Sequence, residues 1–179
     1  MLDLSTMALK SHDKKYYSLR QLPIAYDPDA QCPRWMKFLE EIFPDDPKKI
    51  KTMQRFSGYC LWPGVPIHKC LLLTGSGGNG KSVFVNILMK LVGAENVSSL
   101  QPGQLQDKFL LGTLKDKLLN VSSEIPGHNF DNSVWKQVVA GDVVQGDRKF
   151  GTPFSFRPVA KHIFSMNAAP VITDQTKGF

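Results

Sequence analysis

The chain has 179 residues, 42% of them hydrophobic and 21% charged, which is enough for one globular core and a small appendage. No apolar run approaches the roughly 20 residues of a membrane span, and the N-terminus lacks a secretory signal, so we expect a cytoplasmic protein without a membrane partner. The net charge of +6 favours a polyanionic partner only weakly. The three cysteines lack metal-ligand spacing, which predicts reduced thiols.

The N-terminal third of the chain predicts an extended arm followed by a small helical module. Residues 1–31 are polar and rich in turn signals. Pro33 begins one helix, and Asp46-Pro47 places an N-cap and a first-turn proline at the start of a second. A proline- and glycine-rich linker follows. We therefore divide the chain into an arm with a helical module over residues 1–66 and an α/β core over residues 67–179.

The core alternates between strand and helix patterns. Strands are predicted at 68–74, 97–100, 118–123 and 161–166, and helices at 80–92, at 103–110 and between a cap at Asp131 or Asn132 and Gly141. This alternation implies a parallel sheet flanked by helices, whose ligands bind beyond the carboxyl ends of the strands. Residues 143–157 predict a hairpin.

The segment 75–82 has the form G-x-x-x-x-G-K-S of a phosphate-binding loop. It consists of Gly75, Ser76, Gly77, Gly78, Asn79, Gly80, Lys81 and Ser82. The glycines let successive backbone N–H groups face a polyphosphate at the start of a helix. We expect Lys81 to reach the β- and γ-phosphates and the Ser82 hydroxyl to bind Mg²⁺. A glycine-rich connection without a ligand would leave Lys81-Ser82 unexplained.

Two polar residues follow strands that end at the same edge of the predicted sheet. Glu124 can activate a water molecule or hold Mg²⁺ through its water shell, and Asn167 can orient the attacking water. The alternatives are a glutamate that faces solvent and an asparagine that serves a turn. The phosphate loop predicted across the sheet favours the functional interpretation of both residues.

Arg148-Lys149-Phe150 lies at the predicted tip of the hairpin. Two cations beside an aromatic ring are typical of a surface that binds single-stranded nucleic acid, because charge holds phosphate while the ring stacks on a base. A solvated turn explains the same residues equally well. His68, His128 and His162 have no second ligand at metal spacing, and Asp142 follows a glycine at a turn, so we interpret all four as structural.

In their order along the chain, these motifs resemble superfamily 3 helicases, most of all the phage, plasmid and poxvirus primase–helicase group. The resemblance lies in residues 77–82, in the strand that ends at Glu124, in residues 139–150 and in residues 164–170. Residues 26–43 resemble the small domain that precedes the motor there. The family implies a P-loop, AAA+-like fold and a hexameric ring that uses ATP and Mg²⁺ to translocate on single-stranded or forked DNA.

Carried over by position, the resemblance assigns phosphate and magnesium binding to Lys81 and Ser82. It assigns the acidic catalytic role to Glu124, the water-sensing role to Asn167 and the basic tip of the pore hairpin to Lys149. Many members place two acidic residues at the second motif, whereas Ser123 precedes Glu124 here. The implied function is the DNA helicase motor of a phage- or plasmid-type primase or replication protein, at a bacterial or viral replication site.

The family's arginine finger and the last strand of its sheet lie shortly beyond the asparagine motif, which predicts that both fall after Phe179. We therefore expect a fragment that turns ATP over slowly by itself. The alternative is an ATP-binding module that binds DNA and promotes assembly without turnover. A small-molecule P-loop kinase would need an arginine-bearing lid and an acceptor pocket, and the sequence contains neither.

Overall fold

The computed structural model describes residues 1–123 and 133–169. The strands are β1 Leu2–Asp3, β2 Ala8–Leu9, β3 Leu71–Thr74, β4 Val97–Ser98, β5 Leu119–Ser123, β6 Val144–Gly146, β7 Phe154–Phe156 and β8 Lys161–Met166. The α-helices are α1 Pro33–Ile42, α2 Pro47–Cys60, α3 Lys81–Val92, α4 Lys108–Gly112 and α5 Ser133–Ala140. Short 3-10 helices occupy Lys14–Tyr16, Ala94–Asn96 and Pro102–Gln106. Within the described ranges, none of the helices has the length and apolarity needed to cross a membrane.

The central sheet has four parallel strands in the order β3-β8-β5-β4. All six residues of β8 are buried, as expected for a central strand that is covered on both faces. Neighbouring residues of β8 point to opposite faces, so Ile163 packs with α3 while Phe164 packs with Trp135 of α5. The predicted parallel α/β fold is thus confirmed.

The helices of the N-terminal module pack directly against the α/β core. Leu39 of α1 and Met53 of α2 are buried in the same apolar cluster as Phe84 of α3. Trp35 stacks on Phe84 with the ring centroids 5.6 Å apart. Burial of these large side chains is the main stabilising force that holds the module in place.

The arm differs from the extended segment that the sequence predicted. Its first residues form a short antiparallel ladder between β1 and β2. Further along, the Arg20 guanidinium donates to the carbonyl of Asp116 at 2.8 Å and to its carboxylate at 3.0 Å. The Asn96 side-chain amide donates to the carbonyl of Gln21 at 2.8 Å. These contacts join residues that are far apart in sequence, so local patterns do not reveal them.

Two predicted elements of the core are shorter or divided. The strand predicted at 68–74 is paired only from Leu71 onward, where β8 lies beside it. The helix predicted at 103–110 is interrupted at Asp107, whose carboxylate accepts hydrogen bonds from the backbone N–H groups of Phe109 and Leu110. An aspartate used in this way begins a new helix, so the segment becomes a 3-10 helix followed by α4.

Candidate functional site

The phosphate loop connects β3 to α3 in the geometry that its glycines permit. Gly75, Gly78 and Gly80 have φ angles of 143°, 78° and 81°, a region that residues with a Cβ avoid. Gly80 is the N-cap of α3 and supplies no side-chain hydrogen bond. The first N–H groups of α3 therefore lie at the positive end of the helix without a side-chain cap, which suits an anionic ligand.

Lys81 is held by acceptors of its own loop. Its ammonium donates to the carbonyl of Gly75, to the carbonyl of Ser76 at 2.9 Å and to Oδ1 of Asn79 at 2.9 Å. A Cβ at position 75 would overlap the side-chain amide of Asn79. Gly75 and Asn79 together therefore set the position of the Lys81 ammonium.

A cavity of about 440 Å³ joins the loop to the carboxyl ends of two neighbouring strands. Its lining comprises Gly77, Gly78, Asn79, Gly80, Lys81, Ser82, Val83, Ser123, Ser165, Met166 and Asn167. The backbone N–H of Gly75 donates to the carbonyl of Met166 at 3.3 Å, which ties the loop to the end of β8. Asn167 comes next in the chain and is exposed beside the loop, where the sequence expects a water-orienting amide.

Sequence reasoning did not single out Ser165 and treated Ser123 only as the neighbour of Glu124. These two serines lie opposite each other in the register of β5 and β8, at the end of the sheet that carries the loop. Both line the cavity and offer hydroxyl groups to a ligand or a water molecule. The sequence feature that could have identified them is their placement at the carboxyl ends of predicted parallel strands, where ligands bind.

Several predicted positions lie outside the described residues. They are Glu124, His128 and the proposed helix caps Asp131 and Asn132. Across residues 1–123 and 133–169, no three His, Cys, Asp or Glu side chains are grouped closely enough to hold a metal ion. In the described part of the cavity, Ser82 is exposed and contributes a hydroxyl oxygen to the lining, the kind of ligand atom that Mg²⁺ prefers.

The N-terminal helical module packs against the phosphate loop. A Cβ on Gly80 would lie 2.9 Å from Cγ2 of Ile42 and 3.1 Å from Cε2 of Phe38, both on α1. A second cavity of about 480 Å³ adjoins the loop on this side, between α2 and β3, and Lys49 and Thr52 are part of its lining. The N-terminal module therefore shapes the surroundings of the loop, which the sequence did not predict.

The predicted hairpin is confirmed, with β6 and β7 paired antiparallel. Phe150 at its tip is 98% exposed and has a φ of 60°. The Lys149 ammonium lies 5.2 Å from the centroid of the Phe150 ring, and the Arg148 guanidinium lies 4.8 Å from that of Phe154. The tip thus presents two cations and a freely accessible ring, and none of its residues lines the cavity at the loop.

The root of the hairpin is fixed to α4 by close backbone contact. The N–H of Asp147 donates to the carbonyl of Lys108 at 2.9 Å. A Cβ on Gly146 would lie only 2.7 Å from Cα of Gly112, and a Cβ on Gly112 would lie 2.8 Å from the carbonyl oxygen of Asp147. Two glycines therefore allow β6 to approach α4 more closely than any other pair of residues would.

Two buried titratable groups lie away from the cavity. His162 is fully buried, accepts at Nδ1 from the Asn120 amide at 3.2 Å, and burial lowers its pKa to about 3. A neutral ring in a sheet core agrees with its structural interpretation. Lys161 is 1% exposed, donates to the carbonyls of Trp62 and Val159, and burial lowers its pKa to about 8.

Two protein-family models match the chain. The model of a "Family of unknown function (DUF5906)" matches residues 73–177, a span that includes the loop and the hairpin. The chain belongs to the DUF5906 family. A second model, described as "D5 N terminal like", matches residues 1–44. None of the curated proteins matches the chain.

Solved structures with a similar fold include two of the NrS-1 C-terminal region and one of JCV helicase. The A-form apo structure of the NrS-1 region has 19% identity and a TM-score of 0.63, and the match covers 78% of this chain and 34% of that one. Another apo structure of the region has 18% identity and a TM-score of 0.65, with 84% and 38% covered. JCV helicase bound to a small molecule has 18% identity and a TM-score of 0.51, with 79% and 42% covered.

The chain thus spans well under half the length of these solved chains. At such identities the likeness establishes the fold, which is the P-loop fold expected from the sequence. Together with the D5 N-terminal-like match, the resemblance to the superfamily 3 primase–helicase group is confirmed.

Proposed function

We propose that this chain is the ATP-driven motor of a DNA helicase that acts in the replication of a phage- or plasmid-type element. One observation carries the proposal: the phosphate loop shares a cavity with Ser123, Ser165 and Asn167 at the ends of two neighbouring strands. A loop that only joined a strand to a helix would need no such polar groups opposite it. A nucleotide hydrolase needs them there, because water must be held in line with the terminal phosphate.

In this proposal, the loop binds the triphosphate of ATP. Lys81 exchanges its bonds to the carbonyls of Gly75 and Ser76 for bonds to phosphate oxygens, which as charged acceptors bind an ammonium more strongly. Asn79 can keep its contact with Lys81 and so hold the ammonium in position. Ser82 would hold Mg²⁺, and that ion, when bound, neutralises charge on the β- and γ-phosphates.

The opposite wall of the cavity would supply the groups for hydrolysis. Asn167 orients the attacking water through its side-chain amide, and Glu124 accepts the proton of that water. Ser123 and Ser165 can donate to or accept from the same water through their hydroxyls. The role of Glu124 rests on its position directly after β5 in the sequence.

The hairpin tip would contact single-stranded or forked DNA. Arg148 and Lys149 pair with phosphates, while the exposed Phe150 ring stacks on an unpaired base. A ring of identical subunits, six in the family that this chain resembles, would place several tips around one strand. Movement of those tips during the ATP cycle would translocate the DNA.

The test compares the wild-type chain with Lys81→Ala and Glu124→Gln. Calorimetry should show Mg²⁺-dependent ATP binding in the wild type and in Glu124→Gln, and severe loss in Lys81→Ala, because the phosphates lose their cation. Phosphate release with and without single-stranded DNA should fall in both variants. Lys90→Ala, an exposed lysine in the last turn of α3, is the control and should behave as wild type. Wild-type ATP affinity in Lys81→Ala would overturn the proposal.

A further inference from the structure

The outer face of α2 carries cations that the proposed motor does not use. The helix contains Lys48, Lys49, Lys51 and Arg55 and no acidic residue, a net charge of +4 compared with +6 for the whole chain. Lys48, Lys51 and Arg55, hereafter the α2 stripe, lie within an arc of about 60° at about 100° per residue. All three are exposed, on the side of the helix away from the buried residues Met53, Ser57 and Cys60.

The α2 stripe has no anionic partner among the described residues. Lys49 lies off the stripe and pairs with Asp46, the N-cap of the helix, at 3.0 Å. No ion pair to the described residues is formed by Lys48, Lys51 or Arg55. On the neighbouring helix α1, Lys37 instead lies 3.9 Å from Glu41. A solvated helix face of mixed charge is therefore present on α1 and absent from α2.

The helix dipole does not account for two of these cations. Lys48 lies in the first turn of α2 and Lys51 in the second, near the positive end of the helix dipole. Cations at this end are unfavourable, and acidic residues are the ones that stabilise it. An anion bound across the stripe would reverse the sign of the interaction.

The chemistry of the face selects the kind of anion. No large hydrophobic residue of α2 is exposed, so the stripe lacks the apolar side chains that insert into a membrane surface. It also lacks an exposed aromatic ring on which an unpaired base could stack. Its cations follow one another at about 4.5 Å and about 6 Å along the helix axis, which suits a rigid array of phosphates.

We propose that the α2 stripe binds the phosphate backbone of double-stranded nucleic acid, independently of base sequence. This contact lies on the N-terminal module, whereas the proposed single-strand contact lies on the hairpin tip. The duplex contact requires neither ATP nor the hairpin, so an experiment can contradict it without contradicting the proposed motor.

The experiment measures binding of a fluorescent DNA duplex by anisotropy over a range of salt concentrations. The triple variant Lys48→Gln, Lys51→Gln, Arg55→Gln should lower the slope of log K against log salt by about 2.7, since each duplex phosphate contact contributes about 0.9. If the contacts vanish at about 1 M salt, affinity at about 0.1 M should fall by up to about 500-fold. A wild-type slope and affinity in this variant would overturn the proposal.

The matched control removes the same charge from scattered positions. Lys14, Lys69 and Lys90 are exposed and form no ion pair with the described residues, so the triple variant with glutamine at these positions should keep the wild-type slope. Equal losses in the two triple variants would show an effect of net charge and contradict a defined surface. Loss confined to single-stranded DNA would contradict the duplex assignment.

Two further measurements separate the stripe from other roles. Lys48→Gln should leave the melting temperature unchanged or raise it, because a cation is removed from the positive end of the helix. A lower melting temperature together with unchanged duplex binding would indicate a structural role instead. Lys149→Ala should keep duplex binding while weakening single-strand binding, and the opposite pattern would assign the duplex contact to the hairpin.

Discussion

Gly146→Ala should show that the hairpin depends on its close contact with α4. The added Cβ would lie 2.7 Å from Cα of Gly112 and 3.1 Å from Cζ of Phe154. Neither glycine of the contact has a positive φ, so the perturbation is steric and leaves the preferred backbone conformation unchanged.

The magnitude follows from the distances. Non-bonded carbon atoms pack at about 3.5–4.0 Å, so β6 and α4 must separate by roughly 1 Å. The nearest obstruction is backbone, which cannot rotate away as a flexible side chain would. Overpacking of this kind typically costs about 1–3 kcal/mol in the free energy of unfolding. The tip extends from β6, so a displaced root should also weaken single-strand binding while ATP affinity stays at the wild-type value.

Urea unfolding, DNA anisotropy and ATP calorimetry together test this prediction. Gly58→Ala is the control, because a Cβ there meets nothing within 4 Å and alanine in a helix should add about 0.5–1 kcal/mol of stability. Gly112→Ala should reproduce the defect, since its Cβ would lie 2.8 Å from the carbonyl oxygen of Asp147. If Gly146→Ala unfolds at the wild-type urea concentration and binds DNA normally, the contact does not hold the hairpin.

Three more outcomes are expected. Asn167→Ala should bind ATP normally but lower turnover by about 100-fold, because the attacking water loses its orientation; equal turnover by steady-state phosphate release would remove Asn167 from the mechanism. Phe150→Gly should match or exceed the wild-type free energy of unfolding, since glycine tolerates a φ of 60°. The same variant should lose about 1–3 kcal/mol of single-strand binding free energy, measured by anisotropy, because the ring can no longer stack on a base. Burial lowers the pKa of Lys161 from 10.5 to about 8. Between these pH values the unfolded chain binds more protons than the folded chain, so the free energy of unfolding of the wild type should rise with pH relative to that of Lys161→Met, by at most about 1.4 kcal/mol per pH unit. If urea unfolding gives the same pH dependence for both proteins, this prediction is wrong.

The prediction that the cysteines are reduced thiols came from their spacing and surroundings in the sequence. Cys60 and Cys70 occur in apolar contexts, and both are free cysteines, Cys60 buried and Cys70 partly buried. Burial raises their pKa values to about 12 and about 11, which keeps the thiols protonated and unreactive. Cys32, in a polar segment, is free and exposed.

The sequence by itself determined the elements whose causes are local. Asp46 caps α2, and the glycines of residues 75–80 shape the phosphate loop. In each case the deciding interaction joins residues a few positions apart, so the motif or the spacing displays it directly. The sequence did not predict the contacts of Arg20 and Gln21 with the core or the division of the helix near 103–110 at Asp107, because a distant partner and a competing cap decide these features.

Only the tertiary structure brought distant residues to the site. Ser123 and Ser165 lie beside the phosphate loop because β5 and β8 are paired in register. Ile42 contacts Gly80 because α1 packs against α3. The approach of Gly146 to Gly112 depends likewise on how a helix and a hairpin meet. Such contacts are selected by the packing of whole elements, and a single sequence carries no local signal for the partner that each surface will find.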